Sequence, residues 1–157
     1  MINNNYSDNL ILRPAVEEDE ILLLNWINDP TVRKWSFSNS DLINQYDHTA
    51  WFNQVISDNN IQIWILEKEN TPCGQVRVEL ENKFAVIHYS IDPDFRGNNL
   101  GSKMLEMVVS KICLELDVLE IRAFTIPENI ASNKSLENAG FKENFTTNKK
   151  KCYVFEC

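Results

Sequence analysis

The residues best suited to chemistry cluster in one stretch, Ile87-His-Tyr-Ser-Ile-Asp-Pro-Asp-Phe-Arg-Gly-Asn-Asn-Leu-Gly-Ser102, which runs as an apolar strand, a Gly/Asn-rich turn and a helix start. Gly97 and Gly101 permit backbone angles that a Cβ penalises, and Asn98 and Asn99 are the residue type next best adapted to the left-handed region. Such a turn aims successive N–H groups at one point. The helix from Leu100 adds its own unpaired N–H groups and the positive end of its dipole, so a phosphate or pyrophosphate is held without any lysine. A plain chain reversal uses the same residue types. Titratable groups stand nearby. Glu79 lies on the polar face of an alternating run and reads equally as a general base or an exposed strand carboxylate. His88 titrates near neutral pH, although a lone histidine among apolar strand residues is more often a hydrogen-bonded core residue. Tyr89, and Tyr153 near the end of the chain, are potential proton donors or ordinary half-buried strand residues.

Neither the dinucleotide fingerprint G-x-G-x-x-G nor the P-loop motif is present. Arg96-Gly-Asn-Asn-Leu-Gly101 instead resembles the coenzyme A loop of the GNAT acyl-CoA N-acyltransferases, Gln/Arg-x-x-Gly-x-Gly/Ala, with Asn99 at the usual middle glycine. Asn129-Ile-Ala-Ser-Asn-Lys-Ser-Leu-Glu-Asn-Ala-Gly-Phe141 resembles the family's second motif, and Leu10-Ile-Leu-Arg-Pro-Ala15 its first strand. The resemblance implies acetyl-CoA as cosubstrate and no metal. Its pyrophosphate would lie on Arg96, Gly97, Asn98, Asn99, Leu100, Gly101 and Ser102. Its pantetheine arm would lie between two splayed parallel strands, against Ile91 and Asp92. Asn129 would contact that arm or its waters, a role compatible with capping a helix. Lys134 would approach the nucleotide phosphates, unless it is simply a surface lysine. The family's tyrosine general acid is replaced here by Leu136, so Tyr89 or Tyr153 would serve, or the thiolate leaves unaided. Glu79 and His88 are the candidate bases.

The N-terminal half carries the acceptor. Trp26-x-Asn-Asp-Pro-x-Val-Arg-Lys34 and His48-x-x-Trp-Phe52 resemble the subgroup that acetylates nucleotide-linked amino sugars in pseudaminic-acid-type pathways, and ribosomal-protein acetyltransferases are related. Arg33 and His48 are then expected to hold the acceptor's diphosphate. The alternatives are protein or peptide N-terminal acetylation, and a non-catalytic GNAT-like binding module.

The elements that position these groups follow from periodicity. Leu10–Leu12 is a first strand closed by Arg13-Pro14. A helix begins near Glu17 and breaks at Asn28-Asp-Pro30, and residues 31–47 read as loop or short helices, with a second helix opening at His48. Alternation predicts strands over Ile61–Leu66, Gln75–Leu80 and Phe84–Ile91, separated by turns at Asn70–Gly74 and Glu81–Lys83. Leu100, Met104, Val108, Ile112 and Leu116 recur every four residues, the stripe of a long helix. Val118–Phe124 is a strand, Asn129–Ala139 a helix stopped by Gly140, and Lys142–Glu156 a closing hairpin. The expected fold class is α+β: a GNAT-like mixed sheet, antiparallel strands followed by a β-α-β crossover, with helices on both faces.

At 157 residues, with a formal net charge of −8, the chain is read as one domain over 8–157 preceded by a short polar segment, 1–7. That charge excludes a nucleic-acid binder and disfavours membranes. The expected partner is a small-molecule amine, a nucleotide sugar among them, and a homodimer is one expected assembly. Cys73, Cys113, Cys152 and Cys157 show no C-x-x-C or metal spacing and are expected unpaired. No apolar run spans a bilayer and no signal peptide is evident, so a cytoplasmic location is expected.

Overall fold

The computed structural model describes residues 9–157, and the polar segment 1–7 lies outside them. Seven strands form one mixed sheet: β1 (Leu10–Pro14), β2 (Ile61–Lys68), β3 (Thr71–Glu81), β4 (Phe84–Ile91), β5 (Glu120–Thr125), β6 (Lys142–Thr146) and β7 (Lys151–Glu156). Their order is β1-β2-β3-β4-β5-β7-β6, with β4 and β5 parallel and every other neighbouring pair antiparallel. A parallel pair needs a crossover. Helix α4 (Leu100–Glu115) supplies it, and α1 (Glu20–Ile27), α2 (Pro30–Lys34), α3 (Gln45–Ile56) and α5 (Ile130–Asn138) complete the fold. This is the expected α+β class.

Strand pleat divides the core in two. Trp64 and Leu66 of β2 join Val76, Val78, Ala85, Ile87, Ile121, Ala123 and Tyr153 on the face covered by α4 and α5. Ile63 and Ile65 point the opposite way, against Leu23 and Trp26 of α1 and Phe52 and Val55 of α3. The stripe on α4 is buried as its spacing predicts, from Leu100 through Met104, Leu105, Val108 and Val109 to Ile112. Each such side chain contributes about 1.5–3 kcal/mol, so truncating Ile112 to alanine costs about 2–5 kcal/mol.

Several expectations shift. A single 3-10 turn, Glu17–Asp19, precedes α1, and Arg13 locks it by pairing with Asp19 at 2.8 Å. The hairpin turn sits at Glu69 and Asn70, both left-handed, so Thr71–Gly74 already belongs to β3. Helix α3 starts at Gln45, capped by the Asn44 side chain on Asp47 N, which places His48 inside its first turn rather than at its tip. The cysteines are not all unpaired. Cys113 at the end of α4 is bonded to Cys157 beyond β7, with Cα atoms 5.3 Å apart, while Cys73 and Cys152 are buried thiols. Among the described residues no helix is long and apolar enough to cross a membrane.

Candidate active site

The sheet opens where the sequence places its chemistry. Strands β4 and β5 pair from Phe84↔Glu120 to Ile87↔Ala123 and no further, although β4 runs on to Ile91 and β5 to Thr125. On its other side β4 stays paired with β3 as far as Gly74↔Ile91. One edge of His88–Ile91 therefore offers main-chain groups to an incoming extended ligand, in the manner of an added strand. Gly74 permits this close packing: a Cβ there would lie 2.8 Å from Ile91 Cδ1 and 3.0 Å from the Ser90 carbonyl.

Beyond Ile91 the chain makes a 3-10 turn, Pro93–Phe95, and reaches the anion turn. Asp92 is a structural hub. Its side chain accepts from Trp26 Nε1 at 2.7 Å and from Asp94 N at 2.8 Å, and its N–H donates to Cys73 O. Arg96 is likewise spent within the protein, donating to Ile91 O at 3.1 Å and to Asp29 at 2.7 Å. Both fix the turn. What faces outward is backbone. Gly97 has φ +82° and Asn99 lies in the left-handed region at φ 59°, as their types predict. The Asn99 side chain does not cap α4, whereas Asp29, Asn44 and Asn129 cap their helices. The N–H groups of Leu100, Gly101 and Ser102 are thus left at the positive end of a sixteen-residue helix. Asn98 is exposed and its amide donates to Phe95 O, Leu100 is core, and the Ser102 hydroxyl points to Ser135 O at 3.5 Å. Gly101 lies in the first turn of α4 without a positive φ, and a Cβ there would sit 3.1 Å from Ser135 Oγ on α5.

The second wall of the opening is α5. Asn129 caps it through Ser132 N, and Lys134 is exposed. The buried Asn133, absent from the sequence-based candidates, accepts from Thr125 Oγ1 at 2.5 Å and donates to Pro127 O at 3.0 Å, fastening the β5–α5 loop. Tyr89 reaches across from β4 to Ser132, with its hydroxyl 2.7 Å from Ser132 Oγ and 3.2 Å from Ser132 O. Burial pushes the Tyr89 phenol above its ordinary value, so it stays protonated. Tyr153 is fully buried and donates to Glu137 at 3.0 Å.

The opposite face of the sheet carries the proposed bases. Arg77 and His88 are cross-strand partners, and Glu79 follows two residues after Arg77 on the same side. One Glu79 oxygen lies 2.9 Å from Arg77 Nε and 3.7 Å from His88 Nε2. Partial burial, followed by the Arg77 charge, pulls the half-exposed His88 below its ordinary value against the opposing pull of Glu79.

Two expected residues are not part of this arrangement. Arg33 is buried and donates to Asn39 O at 2.8 Å, and His48 is buried against Trp51 and Phe52. Neither presents its polar head to solvent, which a diphosphate requires.

A sheet split beside an anion-ready turn, with titratable side chains on either face, is the architecture of a coenzyme A-dependent acyltransferase. Residues 9–142 match the acetyltransferase (GNAT) domain family, and the chain belongs to it. A relative, the uncharacterized N-acetyltransferase YoaA of Bacillus subtilis (strain 168), is 26% identical over 144 residues, covering 87% of this chain and 81% of its own. The aminoglycoside acetyltransferase AAC(6')-Ib, solved with paromomycin and acetyl-CoA, shares the fold with a TM-score of 0.82 at 18% identity, covering 95% of this chain and 94% of that one. So does a spermidine N-acetyltransferase from Vibrio cholerae, solved with CoA and spermine, with a TM-score of 0.83 at 18% identity, covering 94% and 95%.

Proposed function

We propose that this acetyltransferase moves the acetyl group of acetyl-CoA directly to the primary amine of a small molecule. The observation that carries the reading is the break in pairing after Ile87↔Ala123, with an open helix N-terminus at one end. Acetyl-CoA supplies the activated acyl group. The Gly97–Ser102 backbone holds its pyrophosphate, and the unpaired edge of β4 takes the pantetheine amides and offers N–H groups to the thioester oxygen. His88, kept neutral, accepts the proton that the amine loses as its nitrogen bonds to the acyl carbon and the carbon–sulfur bond breaks. The Ser132 hydroxyl returns a proton to the departing thiolate and is resupplied by Tyr89. Solvent carries the His88 proton back to that pair. No thiol takes part: Cys73 and Cys152 are buried, and burial raises both above the ordinary thiol value.

The finer reading of the acceptor is a nucleotide-linked amino sugar. Its support is the motif resemblance around Trp26–Lys34 and His48–Phe52, without the diphosphate contacts from Arg33 and His48. Calorimetry with acetyl-CoA should give a dissociation constant on the order of micromolar, and thiol release should follow the addition of an amine. Absence of binding at millimolar acetyl-CoA would favour the non-catalytic module. Faster acetylation of peptide N-termini than of any amino sugar would move the acceptor to protein.

A further inference from the structure

We infer that Asp29, in the Trp26-x-Asn-Asp-Pro30 motif, is a positioning residue for coenzyme A: through Arg96 it holds the anion turn in its binding shape. The inference rests on the acetyltransferase reading above and gives that motif a role in the cosubstrate site. The motif forms the corner between α1 and α2, and its polar side chains reach distant parts of the chain. Asp29 accepts from Arg96 Nη2 at 2.7 Å, and Trp26 donates from Nε1 to Asp92 at 2.7 Å, contacts 67 and 66 residues apart in sequence. Asn28, between them, donates to Ile43 O and accepts from Ile43 N, so the same corner also holds the segment that leads into α3. An aspartate before proline is well placed to cap a helix, and Asp29 does accept from Val32 N. Capping accounts for neither the bond to Arg96 nor the grip of Trp26 and Asp29 on one short stretch, residues 92–96.

The turn needs a brace. Gly97, Asn98 and Asn99 are exposed, and among the described residues no atom beyond the chain neighbours lies within 4 Å of where a Gly97 Cβ would stand. Packing therefore does not fix the residues that aim N–H groups at the pyrophosphate. Their placement is set at the two ends, by Leu100 in the core and by Arg96. Arg96 donates from Nε to Ile91 O at 3.1 Å and from Nη2 to Asp29, so one guanidinium ties both the end of β4 and the start of the turn to the α1–α2 corner. Asp92 fastens the 3-10 turn in parallel, taking Trp26 on one oxygen and Asp94 N on the other. Arg96 is not free to turn to the phosphates instead. The Asp29 side chain is only 12% exposed, and withdrawal of the guanidinium would strand its carboxylate. A turn held in this way does not have to be ordered when the ligand arrives, and that saving in entropy appears as affinity.

Calorimetry with coenzyme A tests this, at a temperature where each variant is folded. Asp29→Ser keeps a capping hydroxyl but is too short to reach Arg96. It should weaken binding about tenfold, the effect of one charge-assisted hydrogen bond. Asp29→Asn keeps cap and shape and removes only the charge, so it should recover part of that loss, to within about threefold of wild type. Arg96→Gln should cost about as much as Asp29→Ser, and the double variant no more than about twofold beyond either, because both changes cut the same tie. A residue that only caps α2 would leave Asp29→Ser with wild-type affinity. An arginine that contacts the pyrophosphate itself would make Arg96→Gln about tenfold worse than Asp29→Ser, or leave the latter tighter than wild type. Either result, or additive losses in the double variant, overturns the inference. If Asp29→Ser does not fold, Asp29→Asn alone and combined with Arg96→Gln carries the same comparison, with an expected loss of about threefold. Failure of the wild-type protein to bind coenzyme A overturns the transferase reading as well, whereas wild-type binding with unaffected variants overturns this inference alone.

Discussion

The Tyr89 hydroxyl on β4 lies 2.7 Å from Ser132 Oγ on α5, so a side-chain bond ties β4 to that helix just beyond the point where β4 and β5 stop pairing. Ser132 occupies the third position of α5, and its N–H is already taken by the Asn129 side chain. Its hydroxyl is thus held in place by its neighbours on the α5 wall of the opening. Ser132→Ala should lower kcat about tenfold to a hundredfold, the low end for general acid catalysis because a coenzyme A thiolate leaves readily. Tyr89→Phe should cost less. Neither should change the acetyl-CoA dissociation constant by more than about twofold, since no pyrophosphate contact is touched. An unchanged kcat in Ser132→Ala would remove this pair from the mechanism.

Arg77 and His88 compete for the same Glu79 oxygen, and the arginine holds it closer, at 2.9 Å against 3.7 Å. Burial and the Arg77 charge together hold His88 below the ordinary histidine value of 6.5. A base works unprotonated, so kcat/KM should rise with pH through an acidic limb lying below that value and level off above it. Arg77→Gln removes a neighbouring cation and frees the carboxylate to approach the imidazole. Both changes favour the imidazolium, so the limb should move to higher pH when a neutral amine is the acceptor. His88→Gln should abolish the limb and cost about a hundredfold or more. A limb in the same place in wild type and Arg77→Gln would show that another group carries it.

Local pattern made much of this legible in the sequence. The four-residue spacing on α4, the alternation of β2 and β3, and the left-handed tolerance of Gly97 and Asn99 each depend on neighbours in the chain, and each is where the structure has it. What stayed hidden depends on distant partners. Cys113 and Cys157 are 44 residues apart and carry no motif, and Tyr89 and Ser132 meet only because the sheet splits. Gly101 read, like Gly97, as a residue freed for unusual backbone angles, but it lies within α4 without a positive φ, and what a Cβ there would meet is Ser135 on another helix. Arg33 and His48 misled for the opposite reason. Polar types in a weakly periodic segment read as surface, whereas the packing of α2 and α3 buries them. Asn133 had a local signal, a polar residue within the first turn of a helix after proline, but its value lies in the contact with Thr125.

Gly74 links the anion turn to sheet packing. An added Cβ meets Ile91 Cδ1 at 2.8 Å, the Ser90 carbonyl at 3.0 Å and Met104 Sδ at 3.3 Å. A side-chain terminus can rotate away, but the Ser90 carbonyl moves only with β4. Gly74→Ala should therefore destabilise by about 1–3 kcal/mol. At roughly 2–4 °C per kcal/mol for a domain of this size, thermal denaturation resolves the change. Displacement of the end of β4 should also weaken acetyl-CoA binding, measured on the folded fraction. Wild-type stability and affinity in Gly74→Ala would show that β4 yields at no cost.

His48 should set part of the acid sensitivity of the fold. The ring is buried beside Phe52 and Trp51, and its Nδ1 has no hydrogen-bond partner. The nearest carboxylate oxygen, on Glu20, is 3.9 Å away and already accepts from Thr49. Burial lowers the His48 value from 6.5, with Glu20 only partly opposing it. In the unfolded chain the imidazole regains its ordinary value, so below about pH 6.5 the unfolded state binds the proton first. Stability should therefore fall as pH drops from about 7.5 to about 5, a window above the range where most carboxylates titrate. His88 is shifted in the same direction and contributes its own share, so the comparison must be between variants. His48→Gln keeps a neutral polar side chain and removes the titration. Its Tm should fall less than that of wild type over this range. An identical pH dependence in the two proteins would mean that His48 takes up its proton as readily in the folded as in the unfolded chain, with the α1–α3 packing relaxing to admit the charge.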